Sequence, residues 1–260
     1  MIGRFLHSQI SQGLAGCLLA AVTALLIMAL ARRRGVNMLK ELPLAQLRGF
    51  LQIVAVGLIL GYLLHGPRWT GIPVLLAMMI AAASIVRSRA KNIPRAFALA
   101  LQSICVGAGG VLAIMIVGGV VPLQIAILVP VGSMVIAQTM NMQSIFLDRL
   151  RGEVLSHIGE IESALALGAS TQVTIFPYVR AAFRASLIPS VDNIRSLGIV
   201  WIPGIMAGMV LSGSSPLYAA LYQFVVLSTI FSAAALTCFT ASYLVVGRIF
   251  NAQEQLLLRA

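Results

Sequence analysis

Two stretches of 52 residues without a charged side chain constrain the fold of this chain more than any other feature. They cover residues 96–147 and 196–247. A helix needs about 20 apolar residues to cross the hydrocarbon core of a bilayer, so each stretch has the length of two crossings. Turn-forming residues divide both stretches, Gly118-Gly119 with Pro122 in the first and Gly213-Ser214-Ser215-Pro216 in the second. We therefore predict two membrane-spanning helical hairpins.

The composition of the whole chain supports a membrane protein. Of the 260 residues, 60% are hydrophobic and only 10% are charged, and the mean hydropathy is +0.99. Soluble domains carry about 25% charged residues, and disordered chains have low hydrophobicity. The composition thus excludes a soluble globular enzyme and a disordered chain.

The fold class we predict is all-α: a polytopic integral membrane protein with about seven transmembrane helices and a cytoplasmic amphipathic coupling segment, forming one permease domain over 1–260. The predicted spans are roughly 11–31, 49–65, 70–86, 97–117, 123–146, 197–213 and 218–246. The spans near 49 and 70 are short, which leaves six spans as the alternative. Three arginines directly after the first span resemble a stop-transfer signal, so we expect this span to be retained.

The positions of the charges predict the orientation in the membrane. The chain has 18 basic and 7 acidic residues and a net charge of +11. With seven spans and the N-terminus outside, 16 of the 18 basic residues fall in the inner segments 32–48, 87–95, 148–196 and 247–260. This is the bias of the positive-inside rule. We expect a cytoplasmic C-terminus, a bacterial inner (plasma) membrane location, and no nucleic-acid partner.

Motifs for chemistry within the chain are absent from the sequence. Neither lysine, Lys40 nor Lys91, follows a glycine, so the chain has no P-loop for a nucleotide. There is no H-E-x-x-H or G-x-S-x-G motif, and the predicted spans contain no acid. The three cysteines lie far apart in apolar runs and are interpreted as packing residues. We predict no catalytic residue and no cofactor in this chain, and assign no metal ligand.

The connection 148–195 is the only long polar segment, and it holds five of the seven acids. Apolar residues recur along it at helical spacing, which predicts an amphipathic helix with one buried face. These residues are Leu150, Val154, Ile158, Ile161 and Leu165. Gly168 occupies the position of a helix-ending glycine. A second helical stretch begins at Thr171, is interrupted by Pro177 and ends at Pro189.

Several short motifs resemble those of known transporters. Residues 162–169, Glu-Ser-Ala-Leu-Ala-Leu-Gly-Ala, resemble the E-A-A-x-x-x-G signature of ABC transporter permeases, with Ser163 in place of the second letter. Three segments resemble the FetB-type iron export permeases, a family that includes plant aluminium-tolerance membrane proteins. They are Leu167-Gly168-Ala169, 186–192 (Ser-Leu-Ile-Pro-Ser-Val-Asp) and 203–208 (Pro-Gly-Ile-Met-Ala-Gly). Residues 130–134, and Arg48 together with Gln52, resemble two further motifs of this family. The resemblance covers roughly residues 45–250.

The resemblance implies the permease subunit of an ATP-driven transporter that exports iron or another metal ion. It implies that ATP and Mg²⁺ bind to a separate ABC ATPase subunit in two copies, and that the permease forms a homodimer in the lipid bilayer. Glu162, Ala164, Gly168 and Ala169 would then couple the permease to the ATPase. The alternative for this segment is a helix lying on the membrane surface. The alternatives for the function are a self-contained secondary transporter or channel, or an ABC permease for a non-metal substrate such as a sugar nucleotide.

Polar residues inside the predicted spans are candidates for the transport pathway. Gln138, Asn141 and Gln143 cluster late in the fifth span, and Gln52 is a single polar site in the second. Hydrogen bonding between helices is the alternative explanation. Asp192 precedes the sixth span, where it would attract a cation or pair with Arg195 three residues later.

Small residues and prolines mark positions of packing or bending. Gly204 and Gly208 have the spacing that allows close approach of two helices. Pro203 beside Gly204 predicts a kink or a break, and Pro189 is a further candidate hinge.

Overall fold

A computed structural model describes residues 2–33, 41–63, 66–90, 93–251 and 255–257, and the regular elements in these ranges are all helical. The predicted all-α class is confirmed. The α-helices are α1 (Ile2–Arg32), α2 (Glu41–Leu63), α3 (Gly71–Arg89), α4 (Ala96–Ile104), α5 (Gly110–Val117), α6 (Ile125–Ser156), α7 (Ile158–Ala166), α8 (Thr171–Ser196), α9 (Gly204–Leu211) and α10 (Pro216–Ile249). A single π-helical turn, Cys105–Gly109, joins α4 to α5.

Six segments in the described ranges are long and apolar enough to cross a membrane. They are Ser11–Leu30, Leu42–Leu63, Gly71–Arg89, Ala96–Val117, Ile125–Ser156 and Pro216–Ile249. Six of the seven predicted spans thus coincide with such a helix. The exception is 197–213, where α9 has eight residues and a length of about 12 Å. Gly198, with φ +77°, and Pro203 interrupt the backbone before α9 and shorten this helix.

The chain divides into two units, residues 1–66 and 67–260, and each is described by itself. In the first unit, α1 and α2 pack against each other. Helix α2 begins at Glu41, before the predicted start of its span at 49. The second unit contains the remaining helices and the buried core. The prediction of one permease domain over the whole chain stays a prediction.

The long helices of the second unit have a defined relative direction. Helices α3 and α6 are parallel, because Gly71 lies against Leu128 and Gly132 lies against Leu75. Helix α10 runs antiparallel to α4 and α5, because Arg248 near its end binds Arg95 and Gln102, whereas the later Gly107 lies against the earlier Ala233 and Thr237. Helix α4 and the π-helical turn run antiparallel to α3, because Phe97 lines the same cavity as Arg87, and the later Gly109 lies near the earlier Met79. Helices α3, α6 and α10 therefore all end on the same side of this unit.

The connection between α6 and α10 must reach the opposite side of the unit, because α10 begins there. Helices α8 and α9 make this passage in series. The Ser186 hydroxyl in α8 lies 3.8 Å from the Cys238 sulfur in α10, and Cys238 lies ten residues, or about 15 Å, before Arg248. The segment 148–195 is therefore not one peripheral connection: its first nine residues belong to α6, and α8 packs along α6 and α10.

The predicted interruption at Pro177 and the predicted helix end at Pro189 are wrong. Pro177 does not interrupt the helix and Pro189 does not end it, since α8 is continuous from Thr171 to Ser196. A proline inside a helix removes one backbone hydrogen bond. One face of α8 is buried against α6 and α10 from Ile175 to Ser190, and this packing compensates for the loss. The buried residues are Ile175, Val179, Ala182, Ser186 and Ser190.

Candidate functional site

Helix α7 is a short helix between two long ones, at the end of α6. The α6 helix stops at His157, whose φ of −119° and ψ of 23° depart from helical geometry. The His157 Nδ1 atom lies 2.9 Å from the Glu153 carbonyl oxygen. The backbone N–H of His157 is shared between the carbonyls of Glu153 and Val154, at 3.2 and 3.3 Å. The ring nitrogen and the backbone N–H of His157 thus both approach the Glu153 carbonyl at the residue where the helix is interrupted.

The predicted apolar face of this region is confirmed. Leu150 and Val154 at the end of α6 are fully buried, and so is Ile161 in α7. Ile158 and Leu165 are half-buried. On the opposite side, Glu162, Ser163 and Ala166 of α7 are exposed, and so is Leu167 directly after the helix. Leu167 is 88% exposed, which makes it an apolar side chain presented outward beside a carboxylate.

The turn after α7 has the geometry expected for a helix-ending glycine. Gly168 has a φ of +88°, a conformation that residues with a Cβ atom adopt only with strain. Its N–H donates to the Leu165 carbonyl, and the Ala169 N–H donates to the Ala164 carbonyl, both at 3.0 Å. These are the two hydrogen bonds of a Schellman motif. The Ser170 hydroxyl then accepts from the Val173 N–H at 3.5 Å and caps α8, so the turn is fixed on both sides.

A side-chain contact ties α7 to α8. The Tyr178 hydroxyl donates a hydrogen bond to Glu160 Oε2, with 3.2 Å between the oxygens. The rings of His157 and Tyr178 are 5.1 Å apart and inclined by 35°. Partial burial and the carboxylate of Glu160 raise the pKa of Tyr178 above its usual value. Sequence analysis missed His157 and Tyr178, because the contacts of Tyr178 with Glu160 and with His157 join residues that lie far apart in the sequence.

The structure brings together two of the three pathway candidates in α6. The Asn141 amide donates to the Gln138 side-chain oxygen at 3.4 Å, on a face where Asn141 is exposed and Gln138 half-buried. Gln143 is fully buried, and its side-chain nitrogen and oxygen have no hydrogen-bond partner among the described residues. It lies five residues from Gln138, which is about 140° around the helix. The helical period alone could therefore have predicted that Gln143 lies on a different face of α6 from Gln138 and Asn141.

Another pathway candidate, Asp192, does not directly precede a span: it lies inside α8, four residues before the helix ends at Ser196. It forms the predicted pair with Arg195, with 3.9 Å between the charged atoms and both side chains exposed. An exposed pair of this kind contributes little to stability. Gln52 is an exposed residue of α2 in the first unit.

The predicted packing residues occupy the start of α9. Pro203 is buried and precedes the helix in an extended conformation, with φ −68° and ψ 148°. Helix α9 therefore begins directly after Pro203. Gly204 and Gly208 are exposed, and no atom outside the local helix backbone lies within 4 Å of where a Cβ atom would stand on either. Within the described ranges, no three or more His, Cys, Asp or Glu residues form a group that could hold a metal ion.

Comparison with known proteins identifies the family. Residues 14–250 match the family described as an uncharacterised protein family, UPF0014. The chain belongs to UPF0014. The chain is similar to the "probable iron export permease protein FetB" of Escherichia coli K12, at 29% identity over 96% of both chains. A UPF0014 membrane protein of Synechocystis, slr1647, is 33% identical over 88% of this chain and 90% of its own length. No solved structure matches the chain.

The chain is also similar to plant proteins. The chain is 27% identical to the protein ALUMINUM SENSITIVE 3 of Arabidopsis thaliana, over 91% of this chain and 87% of that protein. The resemblance stated from the sequence is therefore confirmed. The chain is a multi-pass membrane protein of UPF0014, and one relative bears the name of an export permease.

Proposed function

We propose that this chain is the permease subunit of an ATP-driven transporter that exports iron or another metal ion. The observation that carries the proposal is the likeness to FetB, which covers 96% of both chains at 29% identity. The word permease comes from the name of FetB. In this proposal a separate chain supplies the ATPase.

The geometry of α7 supports a role in coupling. One face of the helix is anchored through the buried Ile161 and through Tyr178, while Glu162 and Leu167 face outward. A rigid helix with an exposed polar and apolar surface is suited to bind a partner protein and to transmit its motion. The two fixed turns, at His157 and Gly168, connect α7 directly to the packed helices α6 and α8. We propose that Glu162, Ala164, Gly168 and Ala169 transmit ATPase movement by this route.

The orientation follows from the charges at the ends of the helices. Helices α3, α6 and α10 end on the same side as α7, and basic residues cluster there. They are Arg87, Arg89, Arg95, Arg149, Arg151 and Arg248. By the positive-inside rule we place this side in the cytoplasm, where an ATPase subunit has access to ATP. The N-terminus outside and the inner-membrane location belong to the same proposal.

The pathway is proposed to lie between two copies of the chain. Asn141 and Gln138 form a polar face in the middle of a spanning helix, and this face is incompletely covered. Polar side chains inside a membrane usually face protein or water rather than lipid. A homodimer related by two-fold symmetry would place two such faces opposite each other. Each copy would bind one of two ATPase subunits.

The test is reconstitution of the chain with an ABC ATPase in vesicles, followed by measurement of ATP hydrolysis and of iron transport. Gly168→Pro removes the backbone N–H of this residue, and proline cannot adopt the φ of +88° that Gly168 has. We expect this variant to reach the membrane and to allow ATP hydrolysis, but to lose transport. Gly119→Pro is the matched control, because Gly119 has a φ of +71° and its N–H donates to the Ile116 carbonyl in an equivalent turn at the other side. Normal coupled transport by Gly168→Pro would refute the coupling role, and failure of the wild type to bind any ATPase would refute the function.

A further inference from the structure

A polar cavity of about 500 Å³ lies between the end of α3 and the last third of α6. None of the residues that line it has been assigned to coupling or to the transport pathway. Two arginines and one aspartate contribute its charge. The cavity is lined by Ser88, Arg89, Ser144, Ile145, Asp148 and Arg151.

The position of the cavity along the helices corresponds to the surface of the membrane. Helix α3 has 19 residues and a length of about 28 Å, close to the ~30 Å thickness of the hydrocarbon core. With α3 spanning the membrane, Arg89 at its end lies where the hydrocarbon meets the head groups. Helix α6 agrees, because Asp148 is its first charged residue after 23 uncharged ones from Ile125. The cavity therefore opens at the level of the lipid head groups.

The two arginines supply the free hydrogen-bond donors of this cavity. Neither Arg89 nor Arg151 forms an ion pair in the described parts of the chain, and the Arg151 Nε atom is buried without a hydrogen-bond partner. The serine hydroxyls are already used, since Ser88 donates to the Ile85 carbonyl at 2.7 Å and Ser144 to the Met140 carbonyl at 2.8 Å. A buried donor of a charged group without a partner is unfavourable, so the cavity is suited to an anion.

The charge of the cavity determines which anion fits. Two guanidinium groups and the Asp148 carboxylate leave a net charge of +1. A phosphodiester carries one negative charge and balances it, whereas a phosphate monoester carries nearly two. Planar guanidinium groups bind phosphate oxygens in pairs, which makes arginine the preferred residue for such recognition. Basic pockets between membrane helices on the cytoplasmic side are known to bind lipid head groups.

We propose that this cavity binds the phosphodiester of a phospholipid head group, held by Arg89 and Arg151. The lipid would fill the space between the ends of α3 and α6, and Asp148 would disfavour phosphate monoesters. The proposal does not depend on the transport function, because it needs only the membrane and these two helices.

The experiment uses the purified full-length chain in mild detergent and counts bound dioctanoyl phosphatidylglycerol by native mass spectrometry. We expect Arg89→Gln and Arg151→Gln each to weaken binding about tenfold, as the loss of a charged hydrogen bond predicts. Arg149→Gln is the control, because Arg149 is an exposed neighbour that does not line the cavity. Arg89 is also exposed, so its substitution is expected to leave folding intact. Unchanged binding in Arg89→Gln, or an equal loss in Arg149→Gln, would overturn the proposal.

Two further measurements separate a lipid from free phosphate and test the charge balance. Inorganic phosphate at equal concentration should not displace the lipid, and displacement would show that the cavity takes free phosphate instead. Asp148→Asn raises the net charge to +2, so we expect it to shift the preference from phosphatidylglycerol toward phosphatidic acid, a phosphate monoester. An unchanged preference in this variant would contradict the charge argument and with it the proposal.

Discussion

The Tyr178 hydroxyl in α8 donates to the Glu160 carboxylate in α7, with 3.2 Å between the two oxygens. The residues are 18 positions apart, and the contact closes the turn that contains Gly168. The His157 ring lies 5.1 Å from the Tyr178 ring on the same side. Together these contacts hold α7 against α8, so a force on the exposed face of α7 would reach α8 and the helices packed on it.

Tyr178→Phe should loosen α7 without unfolding the protein. The substitution removes the hydroxyl and keeps the ring, so the stacking on His157 remains. A hydrogen bond of this kind contributes about 1 kcal/mol, which corresponds to about fivefold more frequent local opening. Hydrogen exchange of peptides that cover 158–166 should be faster by this factor. Tyr243→Phe is the control, because Tyr243 is 76% exposed and its hydroxyl has no hydrogen bond among the described contacts. Equal exchange rates in Tyr178→Phe and the wild type would contradict the prediction.

Gly107 in the π-helical turn lies directly against α10. A Cβ atom on Gly107 would stand 2.6 Å from the Thr237 nitrogen and 2.7 Å from the Ala233 carbonyl oxygen. Both are backbone atoms, which can move away only if the helices separate. The Thr237 side chain is also in the way. The close contact of α10 with the π-helical turn therefore requires glycine at this position.

We predict that Gly107→Ala destabilises the protein by about 2 kcal/mol or more, as overpacking in a tight core does. Gly110→Ala is the matched control three residues later, because no atom lies within 4 Å of its Cβ position. Thermal unfolding in detergent, followed by tryptophan fluorescence, measures both. An unfolding temperature of Gly107→Ala equal to that of Gly110→Ala would contradict the close contact between the π-helical turn and α10.

Local patterns predicted most of the helices and the turn at Gly168. Uncharged length and turn residues are properties of one segment, so they identify six of the long helices directly. The Schellman turn was predictable for the same reason, because it depends on a glycine just after an amphipathic helix. The positions of Glu162 and Gly168 in the candidate site follow from these patterns.

Features that depend on contacts between helices could not be predicted. The wrong span at 197–213 is a different case, because the Gly198 and Pro203 that divide it are local features of the sequence. The prolines of α8 suggested two breaks, and burial against α6 and α10 maintains the helix through both. The contact of Tyr178 with Glu160 and the cavity around Arg151 each join residues from separate helices, which no local pattern contains.

Gln143→Leu tests whether the buried amide has a role beyond packing. Neither polar atom of this side chain has a partner in the described residues, and an unpaired buried amide costs about 1–3 kcal/mol. Leucine has a similar volume and no polar atom, so we expect the variant to unfold at a higher temperature. Gln138→Leu should bring no such gain, because Gln138 is half-buried and bonded to Asn141. If Gln143 lines the pathway, the more stable Gln143→Leu protein will transport less, whereas unchanged transport would remove it from the pathway.

The polar face of α6 makes a direct prediction about the dimer. With Cys17 and Cys105, the exposed cysteines, replaced by serine, Asn141→Cys should form a disulfide-linked dimer when native membranes are oxidised. Two-fold symmetry brings the same residue of both copies together if this face lies at the interface. Ile80→Cys is the control: Ile80 is an exposed residue of α3 at a similar height, since Leu75 lies against Gly132 in the parallel α6. It should remain monomeric. A monomeric Asn141→Cys protein, or equal crosslinking at position 80, would exclude α6 as the surface where two copies meet.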